Sequence, residues 1–434
     1  MKYNIREAHR INATILPDGT LQSRNSFETK RNNNILIFGT SGSGKTRSAV
    51  IPNICTMLDS YIISDPKGNL FRKYAPMLKK HGYQIRHLNF IHPEQSEKYN
   101  PLLYLRTSDD IMKFSKMLIE AQSTGKEPDP FWKQANLMLM TALISFLTEM
   151  HQLRQKYHEP EAGRWKMNLM EIPALLACID SDDVSEGKMC EMDTHFQLLQ
   201  RLWRQHTGKE SPAFRQWKKF NQNPQKTLAT VIMTLQATLA ELDTDGIRYM
   251  FSGDNMQIEK IGMQKTAVFI EISDTDRSKD LFANIFYGQA MNTLCSVADV
   301  QPDSRLPVPV QFILDDFGTN CRIDGFENMI ANIRSRNISV MLMLQSQSQL
   351  EASYDISAHT IMENCDTTVY MGGNDPLTAE TIAKRCNVPV YRILNMPLST
   401  NWTLCRGEKP RFGRTVDIAE YVLLPEYEHY LDIP

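Results

Sequence analysis

The sequence predicts an α/β protein with a mainly parallel sheet interrupted by an all-α domain, and three observations carry that expectation. Short apolar runs from Ile35 onward are each followed by turn residues and a helical stretch, the texture of strands covered on both faces of a parallel sheet. One of these strand-to-helix junctions is the glycine-rich run 39–46. Between residues 105 and 222 the alternation stops and only helical periodicity remains, after which strands resume.

Taken in order, the candidate strands are 35–38, 61–64 and 84–88, then 266–272, 308–314, 338–344, 367–371 and 402–405. Candidate helices of the interruption are 109–121, 131–157, 169–178 and 189–206. A chain of 434 residues suits two or three domains, and this pattern gives two. A lead-in of 1–31 precedes a discontinuous nucleotide-binding domain of 32–104 and 223–434, with the all-helical domain 105–222 inserted.

Hydrophobic residues make up 42% and charged residues 23%, which excludes a disordered or collagen-like chain. The 48 Lys+Arg against 50 Asp+Glu leave a formal charge of −2, so a nucleic-acid contact requires a local patch. The eight cysteines are scattered, with no C-x-x-C pair and no cluster near closely spaced histidines, and read as buried reduced thiols. Together with a first stretch that lacks an apolar segment, they predict a cytoplasmic protein. The longest apolar-looking run, 137–147, is shorter than the roughly 20 residues of a spanning helix, so a membrane link would be made through a membrane-protein partner.

The run Gly39, Thr40, Ser41, Gly42, Ser43, Gly44, Lys45, Thr46 matches G-x-x-x-x-G-K-[ST], with a strand before it and a helical run after it. In such a loop the amides converge on phosphate oxygens, Lys45 reaches the β- and γ-phosphates, and the Thr46 hydroxyl ligates Mg²⁺; the alternative is a plain glycine-rich turn. ATP and Mg²⁺ are the cofactors this implies. The partner motif is an apolar strand ending in carboxylates, and 310–316 fits: Asp315 for the metal shell and Asp316 for the attacking water. Glu is commoner at the second position, and Asp is one methylene shorter. A strand-terminal Asp pair capping the next helix is the competing reading.

Gln345 follows the 338–344 strand, where a polar amide can sense the γ-phosphate, although it or Ser346 can equally cap the next helix. Arg334 and Arg336 lie just upstream; in a ring of subunits one of them can reach a neighbour's phosphates as an arginine finger, whereas surface arginines are often merely solvated. The long separation of Lys45 from Asp315 points to a motor-type ATPase rather than a small nucleotide kinase or GTPase.

Several stretches together resemble the coupling proteins of type IV secretion and conjugation systems. They are the phosphate loop with Pro52 in the helix behind it, Ser64-Asp65-Pro66-Lys67-Gly68, Tyr99-Asn100-Pro101-Leu102, Phe131-Trp132, Asp315-Asp316-Phe317, Arg334-Ser335-Arg336, Leu344-Gln345-Ser346, Asn364-Cys365-Asp366, Gly372-Gly373-Asn374-Asp375 and Arg406-Gly407-Glu408-Lys409-Pro410. The resemblance runs from about residue 32 to about residue 415. It implies a RecA-like ATPase with an inserted all-α domain, a homo-hexameric ring at the inner face of the bacterial membrane, and a relaxase-DNA substrate passed to type IV secretion channel components. The chain departs from the family pattern in having no transmembrane helices at its start and in carrying Asp316 in place of the usual Glu.

Within the insertion, 201–226 holds Arg201, Arg204, Lys209, Arg215, Lys218, Lys219 and Lys226 against one acid, Glu210, with Trp203, Phe214, Trp217 and Phe220 interleaved. Cations beside aromatics suit single-stranded DNA, with Arg201, Arg204, Arg215, Trp217, Lys218 and Lys219 as the candidate contacts. Equally, the aromatics can be core and the cations a solvated face. The acidic stretch 180–193 would repel DNA and is either a receiver of basic protein signals or a solvated loop. Two readings of function follow besides the ATP-driven DNA-transfer motor: a nucleotide-gated docking scaffold that hydrolyses ATP poorly, and a double-stranded DNA translocase of the chromosome-segregation type.

Overall fold

The computed structural model describes residues 3–120, 130–179, 188–222, 225–240, 244–273, 275–317 and 322–422. The acidic segment 180–187 therefore lies outside the described residues. Among those described, the strands are β1 Tyr3–Asn4, β2 Ala13–Ile15, β3 Leu21–Ser23, β4 Ile35–Phe38, β5 Ser60–Ser64, β6 Gln84–Asn89, β7 Thr266–Glu271, β8 Val310–Leu314, β9 Ile338–Leu344, β10 Thr367–Tyr370, β11 Thr400–Cys405, β12 Arg411–Arg414 and β13 Tyr421–Val422.

Nine of them form one sheet in the order β12-β11-β10-β4-β9-β8-β5-β7-β6. Neighbours from β10 to β6 pair in parallel, and β11 and β12 extend the sheet antiparallel. This is the mainly parallel α/β architecture that the sequence predicts. Strands β4, β5, β7, β8 and β9 are buried along their whole length, so these predominantly apolar runs are covered on both faces. Paired side by side, β4, β9 and β8 bring their carboxyl ends to one edge: Phe38 lies opposite Leu344, and Leu314 opposite Leu342.

The lead-in packs as part of this unit. Asn53, on the helix Ile51–Thr56, treats β2 as a strand neighbour: the Ile15 N–H donates to its Oδ1 at 2.9 Å and its Nδ2 donates to the Ile15 carbonyl at 2.8 Å. Arg24 and Asp59 form a buried ion pair, and β1 pairs with β13 in parallel.

The chain divides into two compact units, 1–91 with 257–434, and 92–256. The helical unit is thus wider on both sides than 105–222. Residues ahead of 105 pack with residues beyond 222: the Tyr99 ring meets Phe251 edge-on at 6.2 Å and the Tyr104 hydroxyl donates to Asp254 at 2.7 Å. The helices Gln225–Ala240 and Asp245–Phe251 complete it, and a strand-to-helix texture change cannot reveal where such non-local packing ends.

At the centre of this unit stands the helix Pro130–Tyr157, apolar enough to be buried from Leu139 through Met150. It packs against Pro212–Phe220 and Glu191–Thr207. Its Glu149 carboxylate is buried and accepts from the Ser211 hydroxyl and from the Ala213 N–H at 2.8 Å, capping the start of Pro212–Phe220. Burial nevertheless pushes Glu149 up to about 7 from an ordinary 4.5. Because the folded state holds this proton more tightly than the unfolded chain, the stability it contributes is complete below about pH 4.5 and is lost as pH rises through about 7. Thermal unfolding of the chain followed across that window should show a falling midpoint, and Glu149→Gln should flatten that part of the profile; an equally steep profile in the variant would contradict the assignment.

Candidate functional site

Strand β4 delivers the chain into the loop 39–46, which is tied to the neighbouring strands by its own backbone. The Gly39 N–H donates to the Leu344 carbonyl at 3.0 Å, and the Thr40 N–H to the Gly372 carbonyl at 3.4 Å. Gly44 has φ +88°, a conformation that a side chain would strain, and it lets the loop turn into the helix behind it. That helix opens with a wide turn, Thr46–Val50, in which the Ile51 N–H reaches the Thr46 carbonyl five residues back.

Lys45 is 8% exposed, and its Nζ donates to the carbonyls of Gly39 at 2.5 Å and Thr40 at 3.1 Å. Burial holds its pKa below the ordinary value, opposed by the carboxylates of Asp315 and Asp316. Asp315, at the end of β8, is held above the usual carboxylate range by burial and by Asp316, against Lys45. Its Oδ2 accepts from the Thr46 hydroxyl at 3.5 Å, and its Oδ1 from the Asp316 N–H at 3.0 Å. Asp316 stands in the left-handed region, φ +49°, which Asp tolerates better than most side chains. Ser346 caps the helix Gln347–Tyr354 by accepting from the Gln349 N–H, which leaves Gln345 exposed on the cavity wall.

Thr40–Thr46, Asp315, Asp316 and Gln345 therefore line one cavity of about 1000 Å³. Its residues fit a magnesium nucleotide. The buried Ser43 hydroxyl has no hydrogen-bond partner, the glycine loop supplies backbone amides, and Thr46 and Asp315 offer hard oxygen donors side by side.

The opposite wall was not assigned from sequence. It is built from the turn after β5 and the helix Asn69–Lys80 that follows, with Asp65 and Lys67 of the turn and Arg72 and Lys73 of the helix lining the same cavity. The only sequence signal was the 64–68 stretch, and spacing alone does not say that β5 lies next to β8. Asp65 is buried, its Oδ2 accepting from the Phe71 N–H at 2.7 Å, and burial raises its pKa.

Arg334 and Arg336 are not at this site. They form a short turn leading into the amino end of β9, whereas the cavity lies at its carboxyl end. Arg334 Nη2 donates to the Ser26 carbonyl at 2.8 Å, and Arg336 grips Asp299 with two bonds of 2.7 and 3.1 Å. Within one chain neither reaches the phosphate loop.

In the helical unit Arg201, Arg204, Arg215, Lys218 and Lys219 are exposed. Arg201 pairs with Glu161 at 2.8 Å and Lys218 with Glu210 at 2.5 Å. Trp217 corrects the stacking expectation: it is 2% exposed, lies flat against Phe196 at 4.7 Å between centroids, and donates its Nε1–H to Asp193 at 2.8 Å. Its apolar face is needed by the core, so it has none to offer a base. A groove of about 450 Å³ runs along Gln197, Gln200, Arg201, Arg204, Gln205 and Phe214.

A family model described as type IV secretory system conjugative DNA transfer matches residues 2–387. The type IV secretion system-coupling proteins VirD4 of Bartonella henselae and Bartonella quintana are 23% and 24% identical over 361 residues, covering 79% of this chain and 50% of each relative. The chain thus spans about half the length of the curated relatives it matches. Among solved structures, the bacterial conjugative coupling protein TrwBdeltaN70 with sulphate superposes with a TM-score of 0.64 at 14% identity, covering 95% of this chain and 92% of that one. Plasmid coupling protein TrwB in complex with ADP and Mg²⁺ gives 0.62 at 15% identity, covering 93% and 89%. The RecA-like α/β fold with flanking all-α regions is common to them and to this chain.

Gly68 offers a test of the cavity's far wall. It starts the helix Asn69–Lys80 with φ +64°, and a Cβ there would lie 2.6 Å from the Glu271 carboxylate, which His87 Nε2 and Asn89 Nδ2 hold at 3.0 and 3.3 Å. Gly68→Ala should destabilise the chain by about 2 kcal/mol, left-handed strain plus close contact, as read from denaturant unfolding. A neutral result would show that the turn and Glu271 can separate freely.

Proposed function

This chain belongs to the type IV secretory system conjugative DNA-transfer family, and on that premise we propose that it is an ATP-driven coupling motor that recruits a relaxase-DNA substrate and drives its transfer. The observation that carries the reading is the convergence of Lys45, Thr46, Asp315, Asp316 and Gln345 on one cavity from the carboxyl ends of three adjacent strands.

Each residue has a task that its surroundings allow. The loop amides and the Ser43 hydroxyl take phosphate oxygens. Lys45 exchanges its bonds to two loop carbonyls for the β- and γ-phosphates, where a buried cation is worth more than a solvated one. Thr46 and Asp315 are the residues that would hold Mg²⁺, which when bound would supply charge neutralisation to the phosphates. The Asp316 carboxylate orients the attacking water and accepts its proton, and the Gln345 amide faces the γ end of the cavity. An arginine finger has to come from Arg334 or Arg336 of a second copy, which is the role a hexameric ring gives them.

DNA phosphates would be met by the exposed Arg201, Arg204, Arg215, Lys218 and Lys219, without the buried Trp217. Among the described residues no helix is long and apolar enough to cross a membrane, and a membrane-protein partner at the cytoplasmic face of the secretion channel completes the proposal. Asp316 supports the docking-scaffold reading as the alternative, since its shorter side chain holds water less closely than Glu.

Three variants separate these readings. Lys45→Ala should weaken fluorescent-nucleotide binding and lower turnover by about 100-fold or more. Asp316→Asn should keep nucleotide affinity and lose turnover; if turnover is negligible in the parent as well, while nucleotide still gates substrate binding, the scaffold reading holds. Arg201→Glu with Arg204→Glu should reduce single-stranded DNA affinity and flatten its salt dependence by roughly one unit of slope per lost phosphate contact. Unchanged salt dependence would remove this face from the DNA path.

A further inference from the structure

We propose that the helical unit carries a Zn²⁺ site made by Cys178, Glu191 and His195. Their ligand atoms, a sulfur, a carboxylate oxygen and an imidazole nitrogen, all lie within 4.8 Å of one another. Glu191 and His195 stand one turn apart on Glu191–Thr207, with His195 Nε2 3.2 Å from Glu191 Oε1. That is close to the edge of a tetrahedron around zinc, about 3.4 Å for Zn–N and Zn–O bonds near 2.1 Å.

Cys178 comes from a separate element, as the cap of the helix Ile172–Ala177, which is why sequence spacing shows no metal motif. Its carbonyl accepts the Met192 N–H at 3.1 Å, so the backbone already fastens the two helices where the ligands meet. His195 is 6% exposed, with the Trp165 ring edge-on at 5.4 Å behind it, while Glu191 is open to solvent. The site therefore has a fixed inner wall and an outer side that an ion can enter.

The donor set chooses the ion. One thiolate, one imidazole and one carboxylate suit borderline-soft Zn²⁺ over Mg²⁺ or Ca²⁺, and three protein ligands leave the fourth position to water. Three groups give way on binding. His195, whose Nε2–H donates to Glu191 Oε1 at 3.2 Å, moves to the tautomer protonated at Nδ1 so that Nε2 is free for the metal. The Cys178 thiol, which donates to the Ala174 carbonyl at 3.4 Å, releases its proton to solvent. Arg164, whose Nη2 lies 3.2 Å from Glu191 Oε1, yields that oxygen and keeps the Trp165 ring, 5.0 Å from its guanidinium carbon. Zinc would then staple the end of Ile172–Ala177 to the start of Glu191–Thr207 and stabilise the unit by linkage.

The test uses the full chain with metal alone. Co²⁺ should bind one equivalent with a thiolate-to-metal charge-transfer band, Zn²⁺ should displace it, and Zn²⁺ should raise the unfolding midpoint. Cys178→Ser should lose the band and the thermal shift, and Glu191→Gln, at a solvent-exposed position, should weaken binding without changing the circular dichroism of the metal-free protein. No saturable binding, or a band and shift that persist in Cys178→Ser, would overturn the site.

Discussion

The candidate site depends on the register of three neighbouring parallel strands. With Phe38 opposite Leu344 and Leu314 opposite Leu342, the phosphate loop, Gln345 and Asp315 leave the sheet side by side. A slip of one residue in β8 would turn Asp315 to the other face and take it away from Thr46. Burial resists such a slip, since all three strands are buried along their length and a shift would draw the polar residues that flank them, Asp315 and Gln345 among them, into the sheet. The same burial makes Lys45 and Asp315 mutually dependent: each is desolvated, and each lessens the other's perturbation. Removing either would leave an uncompensated buried charge.

Both ends of the chain reinforce the helix behind the loop. Asn53 ties it to β2, Arg47 in its first turn pairs with Asp417 at 2.5 Å, and β1 lies alongside β13. The loop is thus braced from behind by segments far away in sequence. A lead-in without clear periodicity acquires its order from these partners and not from its own propensity.

What was legible in the sequence is what chemistry encodes locally. The loop 39–46 declares itself because its residue types and spacing, with a strand before and a helix after, have a single economical explanation, and the buried strands declare themselves by short, predominantly apolar runs. Gln345 needed one further fact, that Ser346 does the capping. Long-range properties were not legible. The 64–74 wall depends on strand order, the helical unit's limits depend on Tyr99 meeting Phe251, and the distance of Arg334 and Arg336 from the cavity depends on which end of β9 they precede. Trp217 shows the ambiguity of an aromatic among cations: the same pattern serves a stacking platform or an amphipathic helix, and only its contact with Phe196 decides. Cys178 and His195 show the converse, a constellation invisible until two helices bring it together.

The central claim is that this cavity works a DNA-responsive motor. Steady-state ATP turnover of the intact chain with and without single-stranded DNA, alongside a mass determination in the same buffer, tests it most directly. The proposal predicts turnover that rises with DNA together with a higher-order assembly, about six copies for the proposed ring, since an arginine supplied in trans requires a neighbouring copy. A chain that stays monomeric at every concentration and neither binds nor turns over ATP when DNA is present would contradict it.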